Sequence, residues 1–331
     1  MKLKGEIIIL SGPRKIRFEQ IIIDPDKIKP LEIIARTVFS AISPGTETAA
    51  YSGKPALRPG KIYPRLLGYC NVAQVIKIGK NVKSARPGDL ILTGESHRSI
   101  FKIRETNILA KLPKKISPKE ATLAYLYNLG LNSLKTVELK PKMDVAVIGL
   151  GILGLGIVEQ AKNLKLNTFA FSDSHYKLKL AKKLGAKKVF LKNKSKKLEK
   201  LAYLVITTSN SWQDWELALR LTKQNGTISA LGFPGRGAGL PDFNPLEPKY
   251  FYYKKIAIIP TGWQPDSKKI NNISEINKKN CKEILKLMKG KKLNPKHLIS
   301  GIYDYSGIET AYKKLMSKDK KSVTYLLKWP K

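Results

Sequence analysis

The sequence predicts an α/β protein in which a doubly wound parallel sheet is joined to a second, β-rich part. Three observations carry this. Short β-branched runs punctuated by Gly and Pro fill the first 115 residues, helical periodicity takes over at Ser117, and strands then alternate with helices.

The elements follow in order. "GEIIIL", "IRFEQIII", "LEIIARTVF", "VAQVIKIG", "DLILTG" and "SIFKI" are expected as strands of an antiparallel, barrel-like region. "SPKEATLAYLYNLGLNSLKTVEL" opens with Ser117, Pro118 and Glu120, the pattern of a capped helix start, and runs on with apolar residues at helical spacing. One helix is therefore expected to join the two parts. Beyond it, "MDVAVIG", "NTFAFS", "KVFL", "LAYLVITT", "TISALG" and "KIAIIPTG" are expected as buried parallel strands. Between them lie the helices "LGIVEQAKNL", "YKLKLAKKLG" closed by Gly185, and "WELALRLTKQ" closed by Asn225 and Gly226. Helices around "CKEILKLMKG" and "GIETAYKKLM" and a strand "SVTYLLKW" complete the tail.

At 331 residues with 42% hydrophobic content, the chain is long enough for two cores. It has no apolar run of about 18 residues, and the run in "MKLKGEIIIL" is too short for a secretory core, so a soluble cytoplasmic protein without a membrane partner is expected. Cys70 and Cys281 are its two cysteines, which rules out a disulfide framework and a four-cysteine zinc lobe. A formal charge of +37 raises the prospect of nucleic-acid binding. The lysines are spread along the whole chain, however, with no arginine tract and no interleaved aromatic platform, so no specific nucleic-acid partner is expected.

"VIGLGILGLG" places Gly149, Gly151 and Gly154 in G-x-G-x-x-G spacing between a strand and a helix. Glycines so spaced allow a tight turn, approach of a pyrophosphate to the backbone, and close helix packing, with the phosphates at the helix N-terminus. The second strand and Asp173 that follow strengthen a dinucleotide-binding reading, to which Ile152, Leu153, Thr207 and Gly232 are added as expected contacts. At the ribose edge Ser172, Asp173 and Lys177 offer both an acceptor for ribose hydroxyls and a cation for an extra phosphate, so NAD and NADP both stay open.

"SPGTE" at Ser43 to Glu47, "GY" at Gly68, "PGD" at Pro87 to Asp89, the linking helix and "GLGILG", in that order, resemble the medium-chain dehydrogenase/reductase superfamily over essentially the whole chain. The resemblance implies a GroES-like catalytic domain over 1–124, a Rossmann domain over 125–283, and a tail, 284–331, that rejoins the catalytic domain. Zinc-dependent members carry a Cys before G-T-D, a His-Glu pair after the later glycine, and a third ligand in the linking helix. Here Pro44, Tyr69 with Cys70, and Ala124 stand at those places. Catalytic zinc needs three protein ligands, so the resemblance is to the zinc-free branch, similar to bacteriochlorophyllide dehydrogenase-like and sugar-pathway oxidoreductases, with no metal expected. The resemblance puts Ser172 at the ribose-reading position, which favours NADP(H) slightly over NAD(H).

A metal-free site still needs a proton donor or acceptor for the substrate oxygen. Tyr69 is the candidate donor with Thr46 as relay, against the alternatives that Tyr69 is a packed aromatic and Thr46 a brace of its turn. Tyr51, Asn128 and Trp263 are candidate pocket residues, Glu47 an organiser of its loop, and His97 a surface residue. The expected activity is hydride transfer between a nicotinamide and a small alcohol or carbonyl substrate. Reduction of an activated C=C bond, or dinucleotide binding without turnover together with a basic interaction surface, are the rival readings, and a homodimer is left open.

Overall fold

The computed structural model describes residues 1–55, 62–261, 275–317 and 321–330. Trp263 lies outside the described residues. In chain order the structure contains β1 (Leu3–Gly12), β2 (Lys15–Ile23), β3 (Glu32–Ala41), α1 (Pro44–Tyr51), β4 (Arg65–Leu66), β5 (Asn71–Ile78), β6 (Leu90–Thr93), β7 (Ile100–Arg104) and β8 (Ile108–Lys111). Next come α2 (Pro118–Ala121), α3 (Ala124–Leu134), β9 (Asp144–Ile148), α4 (Ile152–Asn163), β10 (Asn167–Ser172), α5 (His175–Leu184), β11 (Lys188–Leu191), β12 (Ala202–Thr207), α6 (Trp212–Leu221), β13 (Thr222–Ala230) and β14 (Ala257–Pro260). The last elements are α7 (Glu275–Lys289), β15 (Ile299–Asp304), α8 (Ile308–Leu315) and β16 (Thr324–Lys328).

Two compact units result, Met1–Asn128 with Pro265–Lys331, and Leu129–Gln264. The first holds a seven-stranded sheet in the order β15-β16-β3-β5-β6-β8, with β7 also paired to β3, and a three-stranded sheet β2-β1-β4. All pairings in this unit are antiparallel except β15 with β16. The second unit is a six-stranded, fully parallel sheet in the order β11-β10-β9-β12-β13-β14. Counted along the chain this is third, second, first, fourth, fifth, sixth, the doubly wound Rossmann order whose switch point lies between its first and fourth strands. Its interior is apolar on both faces, with Ala146, Ile148, Phe171, Val205 and Ile228 fully buried on one and Val145, Val147, Ala170, Leu204 and Ile206 on the other, as a sheet covered by helices requires.

Three departures from the sequence expectation have local causes. The joining helix is broken into α2 and α3, because the Thr122 hydroxyl donates to the Pro118 carbonyl at 2.7 Å and Leu123 N–H turns back to Glu120 at 3.0 Å. Helix α6 stops at Leu221 rather than running on to Asn225. The Thr222 hydroxyl donates to the Ala218 carbonyl at 2.7 Å, and the buried Lys254 ammonium donates to the carbonyls of Leu219 and Arg220 at 2.8 and 2.9 Å, closing the helix end. The second unit also ends at residue 264 rather than 283, since α7 packs on β8 and α2 in the first unit. An amide ladder fastens it there: Asn128 Nδ2 donates to Asn277 Oδ1 at 2.9 Å, and Asn280 Nδ2 donates to Asn128 Oδ1 at 3.0 Å. Asn128 is fully buried in this ladder, so its amide serves α7 rather than a pocket wall.

The first unit is organised around a buried carboxylate. Glu47, 2% exposed, accepts the Ser43 N–H at 2.6 Å, His97 Nε2–H at 2.9 Å and the Tyr312 hydroxyl at 2.7 Å. Ser40 Oγ lies 2.8 Å from His97 Nδ1 and accepts the Trp329 indole N–H at 2.9 Å. Counting donors assigns the histidine tautomer: with the proton on Nε2 facing the carboxylate, Nδ1 accepts from the Ser40 hydroxyl, and each donor from Trp329 through Ser40 and His97 to Tyr312 meets an acceptor. His97, expected at the surface, is therefore a fully buried strut. Its ring also explains "GY": Gly68 has φ +82, and a Cβ there would stand 2.6 Å from the imidazole. Glu47→Ala would leave three donors without their acceptor. We expect a loss of about 3 kcal/mol or more in urea unfolding, with Glu47→Gln intermediate; a loss below about 1 kcal/mol would show that the network contributes little.

Candidate functional site

Tyr69 leaves β5 at its N-terminal end, where the chain meets the first turn of α1. Its hydroxyl is hydrogen-bonded to Ser43 Oγ, the Thr46 side chain engages the same phenol, and the ring packs edge-on to Tyr125 at 6.0 Å. Burial, and then the neighbouring Cys70, push the phenol well above its ordinary range, against the opposing pull of the Ser43 and Thr46 hydrogen bonds. The hydroxyl thus stays protonated at neutral pH and is a donor, able to stabilise charge developing on an oxygen. The structure thus brings Tyr69 and Thr46 together. Ser43 was missed, although its place before Pro44 at the start of α1 was visible as a helix-start signal.

The other candidates in this unit sit elsewhere. Tyr51, 3% exposed, packs its ring 5.0 Å from Tyr312 in an apolar cluster with Ile8, Leu10 and Ile42. It is core rather than a pocket wall. Cys70 is fully buried, and burial followed by the charge of Glu47 pushes its thiol well up, so it stays a neutral packing group.

A zinc site does not fit these residues. Pro44 and Ala124 carry no ligand atom, the Cys70 thiol is held protonated, and Glu47 and His97 are consumed by one another and by Ser40, Ser43 and Tyr312. Among the described residues no group of three His, Cys, Asp or Glu is disposed to hold a metal ion.

The turn from β9 into α4 does fit a dinucleotide. Gly149 has φ +89, so the chain turns sharply there, and a Cβ on Gly154 would lie 1.9 Å from the Gly149 carbonyl oxygen, which keeps the helix pressed onto the turn. Gly151 is different: a Cβ there would meet nothing within 4 Å, and its backbone, at φ −75 and ψ −166, is open to any residue. Gly151 is the N-cap of α4 and no side chain caps that helix, so the first-turn N–H groups beside Ile152 and Leu153 are presented to open space, as an anion-binding end requires. Ile152 is buried under the turn and Leu153 half-buried. Thr207, at the end of β12, accepts Leu231 N–H at 3.0 Å and Gly232 N–H at 2.9 Å, and Gly232 packs so close to Ser209 that a Cβ would stand 2.3 Å from its backbone. Both bound the same C-terminal edge of the sheet.

At the end of β10, Ser172 Oγ accepts the Ser174 N–H at 3.1 Å, and Ser174 caps α5 by accepting the Lys177 N–H at 3.4 Å. Asp173 points outward, half-exposed, and is held by Lys192 at 2.7 Å. Lys192 follows β11, the neighbouring strand, and bridges to the buried Asp214 at 2.9 Å. Its ammonium is disfavoured by burial, but Asp214 and then Asp173 outweigh that and raise its pKa. Lys192 was not singled out from the sequence; a cation just past the third strand of such a sheet was the available signal.

Residues 153–276 match the family of zinc-binding dehydrogenases. The chain is 24% identical over 220 residues to an alcohol dehydrogenase of Geobacillus stearothermophilus, a match that spans 55% of this chain and 64% of that relative. In fold it is similar to an Escherichia coli alcohol dehydrogenase solved with NADH, with a TM-score of 0.78 at 16% identity over 98% of this chain and 99% of that one. It is also similar to a zinc-binding dehydrogenase from Sinorhizobium meliloti bound to NADP, with a TM-score of 0.79 at 14% identity over 98% and 99% of the two chains. These likenesses show the fold, an antiparallel β-rich unit followed by a parallel Rossmann sheet, shared with solved dehydrogenase structures over nearly the whole chain.

Proposed function

We propose that the chain is a zinc-independent oxidoreductase that moves a hydride between a nicotinamide dinucleotide and an alcohol or carbonyl substrate. The observation that carries this reading is the Tyr69 phenol, kept protonated by burial and oriented by Ser43 and Thr46, at the place where the zinc-dependent relatives are expected to hold metal. A bound nicotinamide supplies the hydride donor or acceptor. The chain's own part is to seat the pyrophosphate on the open face of Gly151 and the first turn of α4, and to steady the substrate oxygen with the Tyr69 hydroxyl.

NADP(H) is the coenzyme we favour. Asp173, the acidic group that would repel a ribose phosphate, is paired with Lys192, a cation it shares with Asp214, and Lys177 supplies a further positive charge four residues on. NADPH is expected to bind about tenfold tighter than NADH, a difference of about 1.4 kcal/mol, and Lys192→Ala to reverse the order by releasing the Asp173 carboxylate. Gly151→Val is expected to fold as the wild type does but to lose the rise in Tm that the dinucleotide gives, because its side chain fills space that no protein atom uses. An intact rise would place the pyrophosphate elsewhere.

Elemental analysis of the purified protein is expected to find zinc well below one atom per chain, and prolonged chelation to leave turnover unchanged; stoichiometric zinc with loss of activity on chelation would overturn the metal-free reading. Tyr69→Phe is expected to lower turnover about tenfold to a thousandfold, roughly 1.4 to 4 kcal/mol, while dinucleotide affinity holds and Tm falls only by what the lost Ser43 hydrogen bond contributes, since the bond to substrate strengthens as charge develops on the oxygen. Wild-type turnover in a folded Tyr69→Phe protein would remove the phenol from the mechanism.

A further inference from the structure

The ladder between β5 and β6 pairs Asn71 with Thr93, Val72 with Leu92, Ala73 with Ile91 and Gln74 with Leu90. Carried past its last rung, that register sets Gly94 opposite Cys70 and Glu95 opposite Tyr69. The loop leaves room at this point: a Cβ built on Gly94 meets no atom within 4 Å. Glu95 is anchored by its backbone, whose N–H donates to Thr93 Oγ1 at 3.3 Å, which leaves the carboxylate to other work.

That carboxylate is poorly compensated. Its side chain is 22% exposed, and the charged group facing it is Arg98, 3.5 Å away, whose Nε meanwhile donates to Ser96 Oγ at 2.8 Å. Tyr69 and Cys70, opposite, are both kept neutral by burial. Burial holds the Glu95 carboxyl above its ordinary range, and Arg98 only partly pulls it back. A carboxylate withdrawn from water, set by the strand register across from a phenol donor and next to a glycine with open space, is a group chemistry can use.

We propose that Glu95 is the proton acceptor when an alcohol is oxidised, taking the proton of the hydroxyl that Tyr69 steadies; this rests on the oxidoreductase reading above. In that step the carbinol C–H electron pair leaves as hydride to the oxidised nicotinamide, the C–O single bond becomes C=O, and the hydroxyl proton passes to a Glu95 oxygen. In the reverse direction the Glu95 carboxylic acid returns the proton as hydride arrives at the carbonyl carbon. Charge and electrons balance with the nicotinamide as the redox partner.

The test uses the full chain with NAD+ and NADP+, a panel of primary, secondary and polyhydric alcohols, and the variants Glu95→Gln, Glu95→Asp and Arg98→Gln. Glu95→Gln is expected to lower oxidation turnover by about a hundredfold or more and to abolish the acid limb of the kcat/KM profile, with Glu95→Asp restoring part of both. Arg98→Gln is expected to keep turnover and to move the acid limb to higher pH, since the cation that eases ionisation is gone. A readout apart from activity follows from linkage. The folded carboxyl titrates above its unfolded value, so ionisation destabilises the fold as pH rises through that interval. The amide escapes this: Glu95→Gln should melt above wild type at about pH 7, with the difference gone below about pH 4. Dinucleotide-induced shifts in Tm should be the same in all variants. If wild type oxidises an alcohol and Glu95→Gln keeps its rate and acid limb, the Glu95 assignment falls alone. A lower Tm for Glu95→Gln at neutral pH, matched by Arg98→Gln, would make the pair structural and overturn it too. If wild type binds dinucleotide but oxidises no alcohol in the panel, the oxidoreductase reading falls and takes this proposal with it.

Discussion

A carboxylate withdrawn from solvent must be matched by donors, and in this protein that requirement governs the first unit. Glu47 draws its three donors from the loop before α1, from the segment after β6 and from α8, parts of the chain up to 265 residues apart. Satisfying one side chain therefore fixes the relative positions of α1, the 94–99 segment and the returning tail. The candidate chemistry depends on those same pieces: α1 and the loop before it carry Thr46 and Ser43, and the 94–99 segment carries Glu95. Where relatives with a metal are expected to be organised by ligand bonds, this chain has an internal hydrogen-bond chain from Trp329 to Tyr312.

The two ends of the proposed chemistry are built on opposite principles. The β9–α4 turn is defined by what is missing: no side chain at Gly151, none capping the helix, no steric freedom at Gly154. Around Tyr69 the polar groups are placed and mutually restrained, and low polarity decides their protonation. Glu95 belongs to the second kind but with less restraint, since the Arg98 cation 3.5 Å from it also donates to Ser96.

Much of the fold was legible because it is written in short-range signals. Alternation and β-branched runs located the strands of both units, and Gly149, Gly151 and Gly154 marked their turn, since each depends on neighbours a few residues away. Helix ends set by distant groups were not legible. The end of α6 depends on Lys254, more than thirty residues on, and the placing of α7 depends on amides from another helix. The same division holds in the site. Tyr69 could be picked out by alignment with a ligand position, whereas His97 looked like a loop residue because its partners Ser40 and Glu47 lie at least 50 residues away. Asp173 was visible, but its pairing with Lys192 is a contact between adjacent parallel strands that only the register of β10 and β11 brings about.

The division of the chain into an interrupted unit and a continuous one has a consequence for biosynthesis. The Rossmann unit is one uninterrupted stretch, Leu129–Gln264, and all six of its strands precede α7 in the order of synthesis. The unit begun first cannot close then. Strand β3 still awaits β16, and Glu47 still awaits Tyr312, so an N-terminal half rich in strands waits with open edges while its neighbour folds. The order in which the chain emerges thus makes the arrival of α8 and β16 the step that closes the first unit.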